Sequence, residues 1–217
     1  MTRSLLYCVR ASVARSVLCL LAAGVIYSPA VVSSASASPV PAGAPAKVLK
    51  LELKWTPKEA PNLPTIDATG GLYTIRLEPF VDKRDKPHKI GENPEKNVEV
   101  ITDDDVAVFV HDVLSRELKG LGLDLTDTGG ERTLKGEIVY FWARDAGSYS
   151  ATVRVKFTLL DGATEIWTGI VQGTGENWGR SLKPINYTET ISGALSQLMT
   201  NLLQTPELRA ALKKGKS

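Results

Sequence analysis

The chain has 217 residues, 43% of them apolar, and its 26 Lys and Arg against 24 Asp and Glu give a formal charge of +2. So even a balance leaves no footprint for nucleic acid and no polybasic stretch for anionic lipid. With two histidines, and both cysteines near the start of the chain, the sequence offers no zinc ligand set and no cofactor-binding motif.

Residues 1–37 have the order of a secretory signal peptide. Arg3, Arg10 and Arg15 stand without an acidic residue, the apolar run Ser16–Tyr27 follows, and Ala35-Ser-Ala37 closes the segment before Ser38. The run is shorter than the about 20 residues that a bilayer-spanning helix needs. A lipoprotein signal places Gly or Ala just before its modified cysteine, whereas Cys19 follows Leu18 early in the apolar run. Cleavage after Ala37 then removes Cys8 and Cys19 together, and the exported chain must rest on its core without a disulfide. Ser38–Ala46, rich in Pro, Ala and Gly, reads as a flexible linker, and residues 47–217 as a single domain.

In that domain, Val48–Trp55 sets Leu49, Leu51, Leu53 and Trp55 against Lys50, Glu52 and Lys54, the period of a strand with one buried face. Prolines at 57, 61 and 64 end it. A second strand is expected over Leu72–Val81, with Pro79 at an edge or bulge, and a loop over Asp82–Lys96. Thr102 and Asp105 resemble a capping box, and Val106, Phe109, Val110, Val113, Leu114 and Leu118 recur at helical spacing up to Gly120, a natural left-handed stop. His111, beside Asp112 and away from the apolar stripe, is expected to be exposed.

A three-stranded meander follows. Leu134–Ala143 places Leu134, Gly136, Ile138, Tyr140 and Trp142 on one face, and Val139 and Phe141 make the other face apolar too, as in a central strand. Tyr149–Leu160 alternates almost without fault, and Glu165–Gly175 returns after Asp161-Gly162, a hairpin dipeptide. Glycines on its inner face leave room for a helix backbone to approach. Asn186 is expected to start a second helix with Glu189 as capping partner, and Ile191, Ala194, Leu195, Leu198 and Leu202 form its core stripe. Pro206 opens a short last helix that docks through Leu208 and Leu212. The expected fold is α+β, a two-layer sandwich with a mainly antiparallel sheet and helices packed on one face.

No catalytic constellation emerges. His88 and His111 are separated in pattern, Gly173-Thr-Gly175 lacks the strand-turn-helix context of a phosphate loop, and Asp103-Asp-Asp105 suits a helix N-terminus better than a hard cation. An enzymatic reading would need Glu137 or Glu176 turned inward. Asp82, Lys83 and Arg84 are the group to watch. They read either as a loop ion pair at a strand end or as a recognition loop, in which Arg84 grips a carboxylate or phosphate in two-pronged fashion.

Tyr73-Thr-Ile-Arg-Leu-Glu-Pro-Phe-Val-Asp-Lys-Arg84, Ile90-Gly91, the helix from Asp104 to Leu118 and the strands through Trp167 resemble the YajG-like bacterial envelope lipoproteins. The likeness continues through the helix ending at Leu203 and rests most on Asp82, Arg84, Ile90 and Gly91. It implies a Gram-negative envelope protein with no established enzymatic activity, in the periplasm or on the periplasmic face of the outer membrane. The position of Cys19 departs from the family's lipid anchor and favours a soluble form over a membrane-associated one. The expected function is a noncatalytic binding or assembly module that meets an envelope protein or cell-wall partner through a sheet edge or the Asp82–Lys96 loop. The alternative is an accessory subunit of an envelope lipid-transport or secretion complex.

Overall fold

The computed structural model describes residues 46–67, 69–179 and 181–214. The expected signal segment, and the linker up to residue 45, lie outside them. The described residues form β1 (Lys47–Lys50), β2 (Ile75–Leu77), β3 (Val81–Asp82), β4 (Lys89–Asn93), β5 (Val98–Ile101), α1 (Val106–Gly120), β6 (Leu125–Thr126), β7 (Arg132–Asp145), β8 (Tyr149–Asp161), β9 (Thr164–Asn177), α2 (Pro184–Gln204) and α3 (Pro206–Leu212).

The meander is the frame. Tyr149, Ala151, Val153, Val155, Phe157 and Leu159 of β8 are buried while Ser150, Arg154 and Lys156 are exposed, as alternation along a half-buried strand requires. β8 pairs antiparallel with β7 from Asp145↔Tyr149 to Thr133↔Leu160, and with β9 from Tyr149↔Asn177 to Asp161↔Thr164. The other edge of β7 meets three short segments in succession, β2 at Arg132–Leu134, β3 at Glu137–Ile138 and β4 at Ala143–Arg144, all parallel to it. β4 pairs antiparallel with β5, β5 parallel with β1, and β6 parallel with β2.

The α+β class expected from the sequence is observed, but the sheet is mixed and open. Five of its strand pairs are parallel and three antiparallel. Parallel pairing needs a long crossover, and the chain makes one: it leaves β4 through β5, passes along α1 and enters β7 in the direction in which β2, β3 and β4 run. The expected Asp82–Lys96 loop is therefore interrupted by strand at Asp82 and at Lys89–Asn93, with Ile90 fully buried and Asn97 at φ 51 in the turn between β4 and β5.

Both long helices lie on the face that carries Val153 and Phe157. Gly173 and Gly175 let the backbone of α2 down onto β9: a Cβ on Gly173 would fall 2.0 Å from the Ala194 carbonyl oxygen, and one on Gly175 2.1 Å from that of Thr190. On the same face, the Phe80 ring meets Phe157 of β8 edge-on at 5.9 Å and His111 of α1 at 5.4 Å. His111 is thus packed against Phe80, with its side chain 19% exposed, rather than free in solvent.

The helix ends differ from expectation in detail. Asp105, not Thr102, caps α1, its carboxylate accepting from the Ala107 and Val108 N–H groups at 2.8 and 3.1 Å, while buried Thr102 accepts from the Asp104 N–H. The left-handed residue after α1 is Gly122 (φ 82), two positions beyond Gly120. α2 begins at Pro184, whose fixed φ suits a first helical turn, and so precedes Asn186.

Candidate functional site

Arg84 is the centre of the group singled out in the sequence. Its side chain is 8% exposed and that of Asp82 14%. Its Nε donates to Asp82 Oδ1 at 2.9 Å and its Nη2 to Asp82 Oδ2 at 2.6 Å, so the two-pronged grip is made within the loop. Nη2 also donates to the Pro87 carbonyl at 2.6 Å, and Nη1 to the carbonyls of Lys89 and Phe141 at 3.4 and 3.3 Å. The guanidinium lies 5.5 Å from the centre of the Phe141 ring. Arg84 therefore fastens residues 82–89 to β7. Lys83, held by its N–H to the Ile138 carbonyl at 2.9 Å, projects away from this network and is exposed, as is Lys86.

A β-bulge shapes the other wall. The register between β7 and β8 slips between Ile138 and Tyr140. Before the slip, Leu134, Gly136 and Ile138 are buried; after it, Phe141, Ala143 and Asp145 are. Tyr140 and Trp142, expected on the inner face with Leu134, turn to the open one, and Val139 and Tyr140 stand 37% and 38% exposed side by side. The apolar second face of β7 has this extra residue as its physical cause as well as its central position.

Loop and bulge enclose an open cleft of about 420 Å³, lined by Lys83, Arg84, Lys86, Lys89, Tyr140 and Trp142 among others. Lys89 donates to Glu99 at 2.7 Å and stands 5.7 Å from the Trp142 ring centre; its hydrogen bond and charge hold the Glu99 carboxyl below its usual range. Arg154 stacks over Tyr140 at 5.1 Å. Lys83 and Lys86 form no ion pair among the described residues. The cleft can thus offer the ammonium groups of Lys83 and Lys86 beside aromatic surface, the charge of Lys86 also being felt by Glu99. Lys86 and Lys89 fall within the Asp82–Lys96 segment read from the sequence as a contact surface, but Tyr140 and Trp142 were not foreseen there, because the bulge that turns the aromatics outward leaves no mark in the alternation.

The remaining candidates have structural occupations. Asp103 pairs with Lys50, whose ammonium is held above its usual pKa by that hydrogen bond; Asp104 accepts the Leu53 N–H at 2.7 Å; Asp105 caps α1. His88 Nδ1 lies 3.2 Å from the Thr102 carbonyl. Glu137 and Glu176 lie among the outward residues of β7 and β9, away from the core. Gly91 sits where a Cβ would fall 2.1 Å from the Ala143 carbonyl, so the distinctive Ile90-Gly91 pair serves strand packing.

No protein-family model and no curated protein matches the sequence. Among solved structures, the chain is similar to protein XCC0632 from Xanthomonas campestris, of the family described as DUF330, with 14% identity, 76% of this chain and 97% of that one covered, and a TM-score of 0.52. Looser likenesses are to protein CT253 from Chlamydia trachomatis (11% identity, 63% and 94% covered, TM-score 0.42) and lipoprotein GNA1162 from Neisseria meningitidis (14%, 47% and 82%, 0.25). At such identities the likeness is one of fold, and the chain shares its fold with the Xanthomonas protein.

Proposed function

We propose that the chain is a noncatalytic module of the bacterial envelope, related to the YajG-like proteins, that binds an envelope protein or cell-wall partner at the cleft between residues 82–89 and the open face of β7. One observation carries this reading. Arg84 uses its donors to hold the loop rigid, and that rigid loop presents Lys83 and Lys86 unpaired beside the exposed Val139-Tyr140 bulge. Preorganised loops on a sheet scaffold lose little entropy on binding, and exposed aromatics beside cations are common anchors of partner recognition. The export signal read in residues 1–37 supports an envelope location.

The test is photo-crosslinking in living cells from position 83 or 86, with position 165 at the far end of β9 as control. A reproducible adduct from the loop positions, lost on Lys83→Glu, is the expected result. Lys83→Glu should leave stability within about 0.5 kcal/mol. No adduct, or the same adduct from position 165, removes the cleft as the binding site. An adduct with a lipid-transport or secretion component would place the module within such a complex.

A further inference from the structure

We propose that the free edge of β9 pairs with the same edge of a second copy of this chain, about a two-fold axis at Gly169. β9 is hydrogen-bonded to β8 alone, so its other edge carries main-chain groups with no neighbouring strand. α2 closes part of that edge: Gln197 Oε1 accepts the Thr174 N–H at 2.6 Å, and Asn201 Nδ2 donates to the Gln172 carbonyl at 2.7 Å. The N–H and C=O of one residue point to the same side of a strand and those of the next to the other, so Thr168 and Ile170 also turn theirs outward. Among the described residues, no side chain caps the main chain of these two. The open stretch is bounded by the α2 caps on one side and on the other by the register slip that leaves Ile166 without a partner on β8. It lacks the devices that blunt an edge: residues 168–172 contain neither charge nor proline, and Ile170 is 65% exposed.

Self-complementarity selects a second copy as the occupant. In antiparallel pairing about Gly169, Thr168 stands opposite Ile170 of the other copy and Ile170 opposite its Thr168. Every N–H and C=O that these residues turn outward then finds a match, and the ladder ends before the groups that α2 already holds. Glu165 and Glu176, the charged residues of β9, fall opposite Gly173 and Gly162 of the other copy, so no like charges oppose each other. Beside the axis, the Trp167 indole lies over Gly169, where a Cβ would fall 2.9 Å from its Cζ2, and it is only partly buried. Opposite Val171 of the other copy it gains cover, as an aromatic anchor of an interface does. An unrelated strand would have to match this short window by chance, whereas a second copy matches it by symmetry.

The exported protein purified from cells is followed by sedimentation velocity over a concentration series. The wild type should dimerise, and Ile170→Glu should weaken the dimer roughly tenfold or more, since the two-fold axis brings the new carboxylates near each other. Within its own sheet the new carboxylate faces Lys156 of β8, so the urea midpoint of this variant should match the wild type. Mixing Ile170→Glu with Ile170→Lys should restore dimers. The register is read by oxidising a mixture of Thr168→Cys and Ile170→Cys and mapping the products by mass: the mixed disulfide should outrun either like pair, because directly opposed residues lie within disulfide reach and diagonal ones lie farther apart. If Ile170→Glu fails to fold, the mixed disulfide decides alone. A wild type that stays monomeric at every concentration, a dimer that Ile170→Glu leaves as tight as before, or like disulfides as abundant as the mixed one overturns the proposal.

Discussion

The two edges of β7 behave differently. Against β8 the strand is paired along almost its whole length, broken only by the bulge at Val139, and β8 continues into β9 and the close seat of α2 on Gly173 and Gly175. Against its other edge come β2, β3 and β4, three short pieces separated by Pro79 and by the loop that Arg84 ties down. A continuous neighbour shares every ladder bond and every core contact with the rest of the frame, so a local fault there is felt globally. A segmented neighbour can be rebuilt piece by piece, and its gaps are where side chains such as Lys83 reach solvent.

That contrast is breakable by substitution. The largest effect should come from Gly175→Val, which forces α2 away from β9 and should lower the unfolding free energy by about 3 kcal/mol or more in urea denaturation. A loss under about 1 kcal/mol would mean that the helix seat is loose and the contrast false. Arg84→Ala leaves the Asp82 carboxylate and three carbonyls short of donors and should cost about 2 kcal/mol. Its signature should be faster amide hydrogen exchange confined to residues 82–91; acceleration spreading through β8 would show that the segmented edge is as cooperative as the other. Asp105→Ala, which uncaps α1 over the segmented side, should cost about 1 kcal/mol by thermal or urea unfolding.

The smallest effect at neutral pH lies under α2. Tyr187 is fully buried, and its ring meets Tyr149 edge-on at 4.9 Å. Burial, with the nearby Asp145 charge and Tyr149 adding to it, raises the Tyr187 hydroxyl well above its usual pKa of 10.0. The folded state thus keeps its proton where the unfolded chain loses it, so this residue leaves stability unchanged below pH 10 and lowers it as pH rises beyond. Tyr187→Phe, which removes a hydroxyl without a hydrogen-bond partner, should shift stability by no more than about 0.5 kcal/mol at pH 7. It should also flatten the alkaline decline in denaturant titrations above about pH 10. An unchanged alkaline slope would show that the Tyr187 hydroxyl reaches water.

How far the fold could be read follows the same division. β8 was legible residue by residue, since one face is core and the other water and a period of two records that difference. The close approach at Gly173 and Gly175 was legible too, because only the absence of a Cβ admits a helix backbone there. β4 and β5 were not: Lys89–Asn93 is short, polar at its ends and bulged between Lys89 and Gly91, and the outer partner of β4 is β7 and that of β5 is β1, both distant in sequence. Of the candidate site, Asp82 and Arg84 stood out as a charged pair after a strand, but what Arg84 holds did not, since the carbonyls of Pro87, Lys89 and Phe141 carry no sequence signal.

By itself the sequence determined the class of the domain, its long strands and helices and the faces they bury, because apolar periodicity is a local record of burial. Tertiary structure alone decided that the sheet is mixed, that β7 switches faces at Val139, and that a buried guanidinium orders the loop beneath Lys83. Each of these depends on which backbone groups meet across long stretches of chain, and hydrogen bonds between main-chain atoms are indifferent to the side chains by which a sequence is read.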